Sequence, residues 1–549
     1  MLFQILRVAA VAFIVVAVAA VSQSINPAPA KTPSGNDACA RCHAEISSSY
    51  HKTIMAGASG VASDALIAGQ FDDKDSGVRY RVYQQGGRVW MSYERGGRDP
   101  IRGQRELLYF IGSGKKGRTY LFSDDQFLFE APINWYSQER RWNMAPGYTE
   151  AQEIPMNLPA FPSCLNCHTS GMQAPEPGSD SKFSGKPFLH AGITCERCHG
   201  AGDGHQNGKG PIVNPAKLPA ERRDAICMEC HFEGTVAVEQ PGKHVYDFQP
   251  GERLSDYIHY FVRTETQVQK PQALSQFQAL SLSQCKRQSG EKMWCGSCHD
   301  SHSEPAPAEK AAYFRGKCLA CHGEAFAARH HADKPDCRPC HMPALPSKDV
   351  AHTEATDHRI LRFPNAAPLP QLQVRGKLLA SFPASDDSLA TARDFALAWV
   401  TLAQRGFEGA PQRAEDYLRQ AVKQGPDDAV VLGALGFEEQ QHGHTDEARD
   451  LYEHALKIDP LSNDAATNLG ILEARAGNLR RAVELWNPAF TRVPNRSAIG
   501  MDLAIAFCVA GQKDIARKYV ERVLEFNPDY RKGKSLLENL AKDPVQCRP

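Results

Sequence analysis

CGSCHDSHSEPAPAEKAAYFRGKCLACHGEAFAARHHADKPDCRPCH, residues 295–341, carries one five-residue phrase three times in 47 residues: Cys, two variable residues, Cys, His. The phrase recurs upstream as CARCH (Cys39, Cys42, His43), CLNCH (Cys164, Cys167, His168), CERCH (Cys195, Cys198, His199) and CMECH (Cys227, Cys230, His231). With CGSCH (Cys295, Cys298, His299), CLACH (Cys318, Cys321, His322) and CRPCH (Cys337, Cys340, His341), seven unbroken copies use fourteen of the 17 cysteines. Chance supplies on the order of 0.02 copies at this composition.

Two cysteines three residues apart lie about one helical turn from each other, so both sulfurs can form thioethers along one haem edge while the next residue, His, reaches the iron. Zinc ribbons and disulfides also use Cys pairs, but neither demands a His after every second Cys. The pattern therefore predicts seven covalently attached haems c, with the fourteen cysteines as attachment points and the seven motif histidines as proximal ligands. The motifs span 303 residues, from Cys39 to His341. Segments of about 43 residues rarely build private cores, so the porphyrins are expected to supply core and pack on one another. Three motifs between Cys164 and His231 and three between Cys295 and His341 suggest two clusters and a solitary N-terminal haem.

An iron with His on both faces has no position for a substrate, whereas an open face can bind one. Outside the motifs, the haem region holds ten further histidines. His205 and His302 follow a motif closely and are expected as distal ligands. His51, with Met55 as its rival, His352, His358 and one of His330 and His331, taken as His331, complete the expected set. His190, His244 and His259 are left between ligand and surface.

Between the first two motifs the pattern changes to alternation. Val78, Tyr80 and Val82 oppose Val89, Met91 and Tyr93 around Gly86-Gly87, which predicts a β-hairpin; LLYFIG (107–112), TYLF (119–122) and FLFEAPI (127–133) predict more strands. GSGKKGRT (112–119) looks like a phosphate loop, but Arg118 stands where Lys is required and the segment joins strands, so a basic turn is expected. DYIHYFVR (256–263) reads as a helix with alternating surface and core positions.

After Ser388 the chain repeats. Pro426, Pro460, Pro494 and Pro528 are spaced by 34, as are Gly409, Gly443, Gly477 and Gly511, and Ala414, Ala448, Ala482 and Ala516. That is the period of a helix-turn-helix tetratricopeptide repeat. Four repeats over about 392–527 and a solvating cap helix are expected, with Cys508 in the core and a face for a protein or peptide partner.

At the N-terminus, Arg7 precedes an apolar run from Val8 to Val21. Fourteen apolar residues fall short of the about 20 a spanning helix needs, which favours a cleaved export signal over a retained membrane anchor. Lys plus Arg balances Asp plus Glu at 63 each, which argues against a nucleic-acid groove. The expected division is 1–30 signal or anchor, 31–60 first haem segment, 61–160 β-rich insertion, 161–360 multihaem domain, 361–391 linker and 392–542 repeats with cap. The fold class is mainly α: a multihaem cytochrome domain with a small β-rich insertion, then an α-helical solenoid.

SYHKTIMAGA (49–58), GITCERCHGAGDGH, PGERLSDY (250–257), SQCKRQSGEKMWCGSCHDSH and CRPCHMP followed by TDHRI together resemble multihaem c-type cytochromes with C-terminal tetratricopeptide repeats, distant relatives of the cytochrome c nitrite reductase and hydroxylamine oxidoreductase superfamily. The resemblance implies a periplasmic or extracellular electron-transfer protein served by redox partner proteins, with His205 and His302 as distal ligands; Cys285 matches a residue of the family pattern. Nitrite reductases of that superfamily typically carry a Cys-x-x-Cys-Lys motif, and all seven motifs here end in His. Electron transfer is the first expectation. The alternative is a reductase or oxidase acting on a small nitrogen or sulfur compound at one open haem.

Overall fold

The computed structural model describes residues 35–97, 99–148, 153–154, 156–263, 275–330, 333–344, 356–363, 379–382 and 390–548. The N-terminal apolar run, His331 and His352 lie outside the described residues. No helix among the described residues is long and apolar enough to cross a membrane.

The alternating segment folds as a sheet. After two short helices, α1 (Gly35–Ala40) and α2 (Ala44–Tyr50), come β1 (Ser59–Val61), β2 (Gly69–Asp72), β3 (Arg79–Gln85), β4 (Arg88–Arg95), β5 (Ile101–Ile111), β6 (Gly117–Asp124), β7 (Phe127–Tyr136) and β8 (Arg141–Met144). They pair antiparallel in the order β2-β3-β4-β5-β6-β7-β8, with β1 on β5. Tyr80 and Val82 stand opposite Tyr93 and Met91, and all four are buried. Gly86 and Gly87 both have positive φ, 59° and 78°, as the tight hairpin turn requires. The β-structure is thus more extensive than a small insertion.

DYIHYFVR is not a helix. Ile258–Arg263 is a strand, β12, between β11 (Val236–Glu239) and β13 (Leu379–Phe382) in a three-stranded antiparallel sheet. From Ile258 to Val262 every residue is buried, as in a central strand covered on both faces, and such a strand shows no clean alternation in sequence. β13 comes from the stretch read as linker. β9 (Thr169–Met172) and β10 (Phe188–Ala191) form a separate ladder.

Five of the seven motif segments are helices that end on their histidines: α3 (Pro162–His168), α4 (Glu196–His199), α6 (Ala220–His231), α9 (Lys310–His322) and α11 (Arg338–His341). Between them lie α5 (Asp203–Gln206), α7 (Gln276–Leu282), α8 (Gln284–Ser289) and α10 (Glu324–Arg329).

The C-terminal part is an array of helix pairs: α12 (Ala392–Gln404) with α13 (Ala410–Gln424), α14 (Ala429–Gln441) with α15 (Thr445–Ile458), α16 (Asn463–Arg475) with α17 (Leu479–Arg492), and α18 (Ser497–Val509) with α19 (Lys513–Phe526), then α20 (Arg531–Leu540). Ala414, Ala448, Ala482 and Ala516 are fully buried where paired helices touch, which explains the small residue at that step of the period.

The array packs against the rest of the molecule at both ends. At one end Phe526 sits among Phe127 and Phe129 of β7, with ring centres 6.1 and 5.4 Å apart. Beside it Asp529, 1% exposed, receives both Arg95 Nη atoms at 2.7 Å and Lys534 Nζ at 2.9 Å. At the other end Asp394 of α12, fully buried, accepts from His259 Nδ1 of β12 at 3.0 Å. Gly178 (φ 77°) lies so close to Arg492 and Leu461 that a side chain there would collide with them.

Cys508 is buried, as expected of a core position, but it is also disulfide-bonded to Cys547, 39 residues further on. The bond pins the tail to the last repeat, a pairing the sequence pattern does not announce. Loop-closure entropy for that separation is worth about 4 kcal/mol, and native relaxation reduces it. Cys547→Ser in the full chain is expected to lower the stability of the C-terminal part by about 2–4 kcal/mol, read as an earlier urea midpoint in far-ultraviolet circular dichroism.

Candidate haem-binding site

Cysteines of the second to seventh motifs line one continuous cavity of about 2210 Å³. That is more than twice the roughly 1,000 Å³ at the top of the range for a small-molecule site. α9, α10 and α11, which carry or flank the last two motifs, bury no side chain, although Tyr313, Phe314, Leu319 and Phe326 lie along them. Unburied apolar side chains around such a space fit large apolar groups as their core.

Motif thiols from different parts of the chain lie against one another. Cys39 meets Cys195, Cys167 meets Cys230, Cys227 meets Cys295 and Cys318 meets Cys337. Cys198 is close enough to Cys230, and Cys298 to Cys321, to feel its charge. Numbering motifs along the chain, the order in space is one, three, four, five, six, seven, with the second attached at the fourth. The N-terminal motif is therefore not solitary, and the two sequence clusters are continuous through Cys227 and Cys295. Loop-linked proximity of this kind is invisible to sequence separation. Burial, with the neighbouring Cys39 thiol, pushes Cys195 up to about 12; burial likewise pushes Cys198 and Cys318 up to about 11.

The histidines are arranged in pairs. His43 faces His205 with ring centres 6.3 Å apart and planes 13° from parallel. His199 faces His302 at 5.9 Å and 13°, His299 faces His358 at 6.2 Å and 23°, and His341 faces His330 at 5.8 Å and 40°. An imidazole nitrogen bonds a first-row metal at about 2.0–2.1 Å, and the ring centre lies about 1.1 Å behind it, so two imidazoles on one iron have centres about 6.3 Å apart. Each pair thus joins a motif histidine to one from beyond a different motif, at the spacing a single iron takes.

Three of these rings are also oriented. His199 donates from Nδ1 to the Val213 carbonyl at 2.8 Å, His341 to Leu361 at 2.6 Å and His358 to Thr356 at 3.0 Å. A carbonyl only accepts, so the proton is on Nδ1 and the Nε2 lone pair is left for a metal.

Of the expected distal ligands, His205, His302 and His358 are therefore brought to motif histidines. Of the adjacent pair it is His330, at the end of α10, that meets His341; His331 and His352 lie outside the described residues. His51 is exposed at the end of α2, and Met55 lines the cavity. His168, His231 and His322 line the cavity as well. His244 is engaged by Glu239 at 3.0 Å, whose hydrogen bond pushes the imidazole up, and His259 by Asp394. Cys285 lies in the cavity wall, its thiol pushed up by burial. The GSGKKGRT turn does join β5 to β6, and Arg118 spends its guanidinium on the carbonyls of Ala65, Gly112 and Ser113, holding the turn closed.

Residues 135–200, which contain the second and third motifs, match the family described as cytochrome c554 and c-prime. That stretch is cytochrome-c-like, and haem c is the cofactor the match implies. No curated protein matches the chain closely. Among solved structures, a crystal structure of MamA is 19% identical, with 26% of this chain and 90% of that one covered, at a TM-score of 0.22. MamA residues 41 to the end from Desulfovibrio magneticus are 18% identical, with 27% and 84% covered, at 0.24, and a tetratricopeptide repeat protein from Parabacteroides merdae is 18% identical, with 27% and 59% covered, at 0.24. The repeat assignment rests on the 34-residue period and the helix pairs themselves.

Proposed function

We propose that the chain is an exported seven-haem c-type cytochrome that passes electrons along closely packed haems, with its repeat array serving as a protein-interaction surface. Four histidine pairs at the spacing of one iron carry this reading. Haem supplies the one-electron chemistry; the chain's own residues fix where each iron sits and how it is closed. Thirteen histidines were expected as ligands, and the four pairs support His43, His199, His299 and His341 as proximal and His205, His302, His358 and His330 as distal. Irons closed on both faces carry electrons rather than bind substrate. Contacts between motif cysteines from the first motif to the seventh support a continuous path.

Export to the periplasm or beyond is supported by the N-terminal apolar run and by the Cys508–Cys547 disulfide, which belongs to an oxidising compartment. Redox proteins would be the partners at the ends of the path. A protein or peptide would be the partner of the repeats.

The test is the intact mass of the full chain, exported from a host with haem-maturation machinery. Seven haem additions are expected, falling to six when Cys164 and Cys167 are both replaced by alanine. A wild-type mass with fewer than seven additions contradicts the proposal.

A further inference from the structure

The two residues between the cysteines are free to vary in the motif, yet three of them meet in the interior. Asn166 comes from the second motif, Arg197 from the third and Glu229 from the fourth. Glu229 Oε1 accepts from Arg197 Nη2 at 2.7 Å and from Asn166 Nδ2 at 3.0 Å. The same Nη2 donates to Asn166 Oδ1 at 3.0 Å and to its carbonyl at 3.1 Å. The Glu229 side chain is 2% exposed and that of Arg197 15%. Arg197 and Glu229 line the haem cavity, and Arg197 Nε is buried without a hydrogen-bond partner.

A buried ion pair is a poor source of stability, because desolvation offsets the attraction and an apolar replacement of the same size often serves better. Its placement is informative instead. Asn166 directly precedes Cys167 and Arg197 directly precedes Cys198, and the Glu229 backbone carbonyl accepts from the Cys167 thiol at 3.8 Å. These are attachment points of the second and third motifs, and Glu229 stands inside the fourth. The cluster therefore sits where the second motif joins the path.

Resting on the reading of the chain as a multihaem path, we propose that Arg197 and Glu229 form a fixed charge pair that sets the reduction potentials of the haems meeting at this junction, with Asn166 holding the pair in place. A reduced haem carries one negative charge more than an oxidised one. An uncompensated Arg197 would therefore favour the reduced form, and an uncompensated Glu229 the oxidised form, each through a water-excluded interior where charges act strongly. With both present the two nearly cancel, and the junction haems stay close in potential to their neighbours. Arg197 and Glu229 are positioning residues in this scheme: neither touches a reacting atom.

The experiment is spectroelectrochemical titration of the full holoprotein, each variant first weighed for seven haems. Glu229→Gln keeps the shape and is expected to raise two or three of the seven transitions by about tenfold in the reduction equilibrium, or 59 mV for a one-electron couple. Arg197→Gln is expected to lower the same transitions, Arg197→Lys to leave them near wild type, and the double variant Arg197→Gln with Glu229→Gln to return them toward it. Loss of packing alone would move both single variants the same way and would not be rescued by Lys. Shifts of equal sign, no shift, or an equal shift of all seven transitions overturns the charge pair. If Arg197→Gln does not mature, Glu229→Gln decides alone, a downward or absent shift overturning the proposal. Fewer than seven haems in the wild type would instead sink the underlying path.

Discussion

Replacing His302 by alanine is expected to turn one haem, that of the third motif, from low-spin to high-spin while the others are unchanged. His302 is half exposed, follows the fifth motif, and faces His199 at 5.9 Å, whose Nδ1 is already committed to Val213. Removing its ring takes one ligand from that iron and little else from the fold, because the side chain's other contact is with Asp300 at 3.5 Å on the surface. The vacated face would then accept an added ligand such as imidazole or cyanide, and added imidazole should restore the low-spin spectrum. His205→Ala predicts the same for the first motif. A spectrum unchanged in both variants would remove the pairing from the account.

The largest stability effect belongs to Asp529→Ala. Asp529 gathers Arg95, Lys534 and the Ile154 backbone N–H, the last at 3.3 Å, at a position with almost no access to water. Deleting one partner of a buried pair leaves the other charges uncompensated and costs about 3–5 kcal/mol. The loss should appear as a lower denaturation midpoint for the β-sheet and the last repeat together, since the bond joins them. The pH dependence follows from the same contacts. Burial alone would raise the Asp529 carboxyl, but the hydrogen bonds from Arg95 and Lys534 outweigh it and hold it below the usual range. A carboxyl lowered on folding stabilises fully above its unfolded value, about 3.9, and loses that contribution as pH falls toward the folded value. The wild type should therefore weaken below about pH 4 and approach the alanine variant, and the gap between them should be widest at neutral pH.

The parts of the molecule that were legible in the sequence are those where one residue type repeats at a fixed step. Alanine and glycine every 34 residues fixed the helix pairs, because only a small residue fits where Ala448 and Ala482 touch the facing helix. The Gly86-Gly87 turn and the alternation on either side placed β3 and β4, since one face of that sheet is buried and the other wet. Ile258–Val262 misled for the opposite reason: a strand covered on both faces has no polar side to mark its period. The disulfide was illegible because Cys508 and Cys547 have no spacing rule, only a fold that brings them together.

The site divides in the same way. Each motif and its histidine could be read locally, as could the candidates His205 and His302 that follow a motif closely. Which histidine serves which motif could not, since His205 crosses to His43 and His358 to His299 through the tertiary fold. Between His330 and His331 sequence had no means of choosing; the end of α10 turns His330 toward His341. Asn166, Arg197 and Glu229 were missed altogether. Alone, each looks like a solvated residue in a variable position. The signal was that three neighbouring motifs carry an amide, a cation and an anion there, and it gains meaning only once the motifs are seen to touch.

A low-temperature electron paramagnetic resonance spectrum of the fully oxidised, seven-haem protein tests the central claim most directly. The account predicts low-spin signals that are unchanged by nitrite, hydroxylamine or sulfite, with at least the four paired irons among them. A high-spin signal that shifts when one of these is added, and that persists in the wild type at full haem content, would contradict it and place a substrate at an open iron.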